Sequence, residues 1–485
     1  MKSYIHLNPQ STAGKTLVLL IILTLTVSST SCRNDRSQLT YSLESAGSNR
    51  SELETVLKHF RNDPSRQEAA RYIIKGLPAH VSLREEWIGS YYSYADSILS
   101  VGEMSPEEQR DSLLAFSDRI LPDLENGMIC DAEAVSAEFL IRSINDAWEL
   151  WKSSPWASHL SYNDFLEWLL PYKMTELQSL DLWRDTLRKR FSDDLTAMPH
   201  DDVEYGTALK TADVIRNEVL REIRRYGLYD RSGLPLLSAG LLPRQTFGDI
   251  PDYALTGALA LRAAGVPVVL DETPVGARGE AATRWFVVLG DKGSEEASEW
   301  DVATAIGWGF FPYERGPKVF RNTWSIDRRR WRYRRKAKFV YPFSLAKKDV
   351  TDRYFRTSDL SVEISGEMRR LLKDRYVYIA SAVRDTARAQ RSRSFTDEFS
   401  QSLHESALPM ESGWCIVDFG KMKYGRAEFG SMGREVLYRV FGFDGDGLIP
   451  VTSPFILHGD GSIERISADT LDSPSLDRWK NNPLL

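Results

Sequence analysis

Asp249-Ile250-Pro251-Asp252 dictates a helix start, and the residues after it leave few choices for the centre of this 485-residue chain. Asp249 suits the N-cap, Asp252 can reach back from the third helical position, and Pro251 is tolerated in a first turn. Tyr253 to Ala264 continues the helix, with Leu255, Leu259 and Leu261 among alanines. Gly265 stops it, and Val266-Pro267-Val268-Val269-Leu270 reads as a buried strand. Arg284 to Leu289 reads as a second strand, closed by the turn Gly290-Asp291-Lys292-Gly293, and a third begins near Trp300-Asp301.

This order of parts resembles the core of the transglutaminase-like superfamily, in its bacterial cell-envelope lipoprotein branch. Members open the helix with Gly-x-Cys-x-Asp and run it into Leu-Arg-Ala-Leu-Gly-Ile-Pro; a His-x-Trp strand and a Trp/Phe-Asp pair come next. The matching stretches here are Gly248-Asp249-Ile250-Pro251-Asp252, Leu261-Arg262-Ala263-Ala264-Gly265-Val266-Pro267, Thr283-Arg284-Trp285 and Trp300-Asp301. The resemblance implies a papain-like α/β core. It sets Ile250 at the cysteine position, Thr283 at the histidine position and Asp301 at the third. A cysteine nucleophile works as a thiolate, favoured by a helix N-terminus and served by a histidine base. Isoleucine has no nucleophilic atom, threonine is no base near neutral pH, and an aspartate alone has no histidine to orient. The resemblance therefore implies a pseudoenzyme with no catalytic residue and no cofactor. Its cleft, with Asp249, Asp252, Tyr253 and Trp285 as candidates, is expected to bind a peptide or glycan without cutting it.

The first residues have the layout of a secretory signal. Lys2 and Lys15 precede the apolar run Leu17 to Val27, and Ser28-Ser29-Thr30-Ser31-Cys32 comes after it. The run is short for a membrane span. Cys32 after small residues looks like a lipoprotein cleavage site, so lipid on Cys32 and attachment to a cell-envelope membrane are expected, with residues 32–50 as a tether. Removing residues 1–31 takes two of 62 cations and none of 68 acids, leaving a net charge of −8. That argues against nucleic acid as a partner. Cys130 and Cys415 then remain, far apart, and read as buried free thiols. A cysteine hydrolase built on either thiol would need one of His59, His80, His159, His200, His404 or His458, and no motif pairs them. An envelope assembly protein is the other alternative. No two histidines lie at ligand spacing and no Cys-x-x-Cys occurs, so no metal is expected.

The expected class is α+β: signal peptide at 1–31, tether at 32–50, helical region at 51–235, transglutaminase-like core at 236–345 and β-sandwich at 346–485. In the helical region Ser51-Glu52-Leu53-Glu54 reads as a capping box, Pro106 opens a helix, Asp131 to Trp151 reads as one helix and Ser161 caps the next. Thr207 to Tyr226 reads as the last. Trp87, Trp148, Trp151, Trp156, Trp168 and Trp183 read as core ahead of a sugar-stacking surface. Arg328 to Lys338 is a basic run whose alternation from Arg330 to Arg334 predicts a strand with cations on one face, read as solvated and paired with local acids such as Glu295, Glu296 and Glu299 ahead of a docking strip for phosphates or acidic sugars of the envelope surface. From Leu360 onward alternating segments predict strands, with turns at Asp444-Gly445-Asp446-Gly447 and His458-Gly459-Asp460-Gly461. Thr386 to Glu405 reads as a polar insert.

Overall fold

The computed structural model describes residues 37–120, 124–157, 160–190, 217, 234–238, 240–276, 282–289, 315–341, 343–383 and 413–466. Helices fill the N-terminal part and the sheets are antiparallel, giving a mixed architecture. Cys32, Asp301, the glutamates at 295–299, the 386–405 insert and, apart from position 217, the helix expected at 207–226 lie outside the described residues.

Two helical groups form the N-terminal part. Residues 37–45 (α1), Arg50–His59 (α2), Pro64–Gly76 (α3) and Ala137–Ser153 share a core of Leu53, Val56, Ile73, Leu140 and Ile144. Glu85–Leu99 (α4) and Pro106–Ile120 (α5) pack through Ile88, Tyr91 and Leu113 against Leu234, Leu237 and Phe247. Strands Val81–Leu83 (β1) and Met128–Cys130 (β2) pair antiparallel, Val81 opposite Cys130. Two expectations fail here. The Ser51 capping box does not form, because the chain is already helical through Gly47–Asn49 and no free helix end exists at Ser51. Asp131 to Trp151 is two helices, Asp131–Ala134 and Ala137–Ser153 (α6), because Val135 and Ser136 are extended and Ser136 accepts from the Phe139 N–H as a new N-cap. Trp156 and Trp183 are buried, and Trp87, Trp148, Trp151 and Trp168 pack half-buried against apolar clusters.

The central helix Ile250–Ala263 carries the expected capping box: Asp249 accepts from the Asp252 N–H and Asp252 from the Asp249 N–H. Gly265 ends it at φ +88°, with Ser154 packed where a side chain would stand. Strands Val268–Thr273 (β3), Thr283–Val288 (β4), Phe320–Asn322 (β5) and Lys347–Asp349 (β6) form a sheet in the order β4-β3-β5-β6. Val268, Leu270, Phe286 and Val288 pack against the helix, together with Trp156 and Trp183. Val269, Trp285 and Val287 pack on the opposite face with Val319, Val350 and Phe355.

The basic run is a helix, Arg328–Lys336, and not a strand. Asp327 accepts from the Arg330 N–H at 2.7 Å and so starts it. Arg330 and Tyr333, three apart, form its buried side. Tyr333 stacks on Phe419 at 4.2 Å and docks the helix on the outer face of a large sheet. That sheet has the order β14-β13-β11-β8-β9, with β8 Tyr376–Ala382, β9 Trp414–Lys421, β11 Val436–Phe443, β13 Phe455–Leu457 and β14 Ile463–Arg465, and β12 Leu448–Pro450 beside β11. Thr357–Glu363 (β7) and Arg426–Gly433 (β10) form a ribbon whose Leu360, Val362, Ala427 and Phe429 share a core with Val377, Val417 and Val440 of the large sheet. The Asp444 and His458 turns close two hairpins. Asp444 accepts from the Asp446 and Gly447 N–H groups, and these bonds hold its carboxyl below the usual range. Cys130 and Cys415 form no disulfide and are half-buried rather than buried, each packed against the margin of an apolar cluster.

Candidate functional site

Strand alternation decides the fate of the family positions. Thr283 shares its face with Trp285 and Val287, which pack on the side of the sheet turned away from the central helix. No register shift interrupts the β3–β4 pairing, so the neighbour that faces the helix side is Arg284. Ile250 is the first residue of the helix. Tyr253 and Trp285, expected at a cleft, are core residues at 8% and 3% exposure. Trp285 is tied down further: its indole N–H donates to the Tyr354 hydroxyl at 3.1 Å, which donates to Asp271 at 2.6 Å. Asp249 and Asp252 are spent on each other. The space beside Asp252, Leu255 and Thr256 is a void of about 10 Å³, room for one water at most.

Space of a useful size lies elsewhere. A cavity of about 270 Å³ opens where β1, the loop 171–176, the β3–β4 hairpin and the segment 340–347 converge. That is near the lower end of small-molecule sites. Its acids and its histidine are already engaged, while Asn322 Oδ1 is a buried acceptor without a hydrogen-bond partner among the described residues. His80 Nδ1 meets Glu176 at 3.0 Å, its Nε2 meets the Trp324 carbonyl at 3.3 Å, and its ring stacks on Trp324 at 4.1 Å. The other Glu176 oxygen accepts from the Val81 N–H at 2.8 Å. Burial pushes the Glu176 carboxyl up, but His80, Lys173 and that N–H more than offset it and hold it below its usual range. Glu167 accepts from the Trp324 N–H at 2.6 Å and from the Tyr72 hydroxyl. Glu272 is matched to Lys347 and to Arg284, which stands opposite it in register.

Donors remain. Arg262 and Arg284 line the cavity at 4% and 7% exposure. Arg262 donates through one terminal nitrogen to the Val268 carbonyl at 2.7 Å. The Nε–H groups of both arginines are buried without a hydrogen-bond partner among the described residues. Burial pushes the Arg262 guanidinium down to about 9, with Arg184 adding to the effect. Buried donors left unmatched cost about 1–3 kcal/mol each, more when charged, and the two arginines bring positive charge to the cavity wall. Sequence reasoning missed this pair of strands as a site. The available signal was Glu272 and Arg284, opposite charges at buried positions of two otherwise apolar strands.

Behind this wall lies a closed polar network. Lys173 Nζ sits 2.7 Å from Asp131 and 2.7 Å from the Ser82 hydroxyl, and Asp131 also accepts from Ser82 and Tyr172 at 2.6 Å each. A serine beside a lysine is a nucleophile–base pair in some hydrolases. Here the ammonium is held by Asp131 and Ser82 is fully buried, so the set is structural. Cys130 is not set up as a nucleophile: its thiol faces the Leu77 carbonyl at 3.8 Å, burial pushes it up, and both nitrogens of nearby His80 are engaged. Among the described residues no group of three or more histidines, cysteines and acids is placed to hold a metal. No protein-family model, no curated protein and no solved structure matches this chain.

Proposed function

We propose that this chain is a non-catalytic binding protein of the cell envelope, and that its ligand seat is the cavity walled by Arg262 and Arg284. The ligand class is a small anionic peptide or glycan fragment, held through carboxylate oxygens. The transglutaminase-like framework is kept as the origin of the domain, and the working site is moved away from the helix N-terminus. One observation carries the proposal: every acid and the histidine lining the cavity are satisfied internally, while two buried arginine Nε–H groups are not. Arginine is the side chain best suited to planar carboxylates.

Calorimetric titration with acetyl-alanyl-alanine, N-acetylglutamate and glucuronate tests it. At least one is expected to bind, and Arg262→Gln or Arg284→Gln is expected to weaken that binding roughly 10- to 100-fold, the worth of one charged hydrogen bond. Uncharged amide analogues binding as tightly as the acids would refute the carboxylate reading.

A further inference from the structure

The helix Arg328–Lys336 presents an outer face that its packing does not use. Arg328, Arg332, Arg335 and Lys336 are exposed, and Trp331 lies half-exposed among them. Arg328, Arg332 and Arg335 fall at i, i+4 and i+7, one stripe on the helix. Among the described residues none of the three makes an ion pair, whereas Arg329 on the flank is held by Asp418 at 2.9 Å. Arg335 lies over the Trp331 ring at 6.0 Å. Tyr41 of α1 meets Trp331 edge-on at 4.8 Å and is itself 41% exposed. A surface tyrosine–tryptophan pair ringed by arginines, on a chain whose net charge without residues 1–31 is −8, is a composition suited to the headgroup layer of an anionic membrane.

The position of Tyr41 supplies the second argument. Cys32 lies five residues before Ser37, where α1 begins, a reach of at most about 18 Å. Tyr41 is about one helical turn further on. A lipid on Cys32 would therefore hold the bilayer surface beside the arginine stripe. We infer that Arg328, Arg332 and Arg335, with Tyr41 and Trp331, dock this chain on anionic phospholipid as a second membrane contact next to the anchor. The inference rests on the envelope reading of Cys32 and is independent of the cavity.

The test uses the chain without residues 1–31, which retains every described residue, in flotation with phosphatidylcholine vesicles and with vesicles rich in phosphatidylglycerol. Partition onto the anionic vesicles alone is expected, falling as salt rises. Replacing Arg328, Arg332 and Arg335 by Gln is expected to lower it about five-fold per residue, roughly 100-fold in all, while the Arg→Lys set retains it and both sets keep the wild-type melting midpoint. Equal flotation of the wild type and the Gln set overturns the proposal, as does failure of the wild type to float, which would leave the stripe to an acidic protein surface. Lipidation is read separately, from the mass of the N-terminal peptide of the native protein. An unmodified Cys32 overturns the placement beside an anchor even where the vesicles bind.

Discussion

Arg262 is a buried cation held at a cost, and removing it should make the protein more stable. The residue is 4% exposed, one guanidinium nitrogen reaches the Val268 carbonyl, and Nε has no hydrogen-bond partner among the described residues. Burial brings its pKa down to about 9, well below the ordinary guanidinium value, a gap worth on the order of 4 kcal/mol against the folded state near neutral pH. Arg262→Met keeps the aliphatic stem and removes the charge. It also leaves the Val268 carbonyl unmatched, at about 1–3 kcal/mol, so a net gain of roughly 1–3 kcal/mol remains, in line with other buried charges replaced by apolar groups. At about 2–4 °C per kcal/mol for a domain of this size, the midpoint of thermal unfolding observed by circular dichroism should rise by several degrees. The pH dependence checks the cause. Above about pH 9 and below the ordinary guanidinium value the unfolded state binds the Arg262 proton and the folded state does not, so wild-type stability rises with pH in that window. The advantage of Arg262→Met should therefore shrink by about 2 kcal/mol by pH 10.5. A lower midpoint for the variant, or an advantage constant with pH, would show that the guanidinium is fully compensated and that the cavity does not await an anion.

Three further outcomes rest on the same geometry. Asp131→Asn removes the counter-charge of Lys173 at a site with no solvent access, and should cost about 3–5 kcal/mol, read as a lower denaturation midpoint. Glu176 has its folded pKa held below its usual value by His80 and Lys173; its contribution to stability is therefore complete above the ordinary glutamate range and is lost as pH falls through the folded value. Glu176→Gln should flatten the acid limb of the stability curve below about pH 4.5, and an unchanged limb would show that Glu176 contributes nothing to it. Ile250→Cys with Thr283→His should yield neither amidase activity nor fast thiol alkylation at neutral pH, because position 283 is on the face away from the helix; rapid alkylation that depends on the histidine would reverse that placement.

The sequence is most legible where a local rule has a single structural solution. Asp249, Pro251, Asp252 and Gly265 each meet a backbone requirement of a helix end, and they bound the helix within a residue of expectation. Leu360 to Ile364 alternates and falls on a strand with one buried face, whereas the strand at Glu435 to Val440 is apolar because both of its faces are buried. The run Arg328 to Lys336 misleads because Arg-Trp-Arg-Tyr-Arg fits a two-residue period as well as the 3.6-residue one. The deciding signal, Asp327 as N-cap, stands just outside that run. Position 283 does begin a strand, but which face it takes is set by the partners of Trp285 and Val287, distant in sequence. The cavity is illegible for the same reason: His80, Glu176, Arg262, Arg284 and Lys347 meet only after three parts of the chain have packed.

The most direct test of anion binding is a crystal structure of the chain soaked with whichever of the three carboxylates binds most tightly. Difference density is expected inside the cavity, with carboxylate oxygens within hydrogen-bonding distance of the Arg262 and Arg284 guanidinium groups. Ligand density at the helix start around Asp249 and Asp252, with only water between the two arginines, would contradict it.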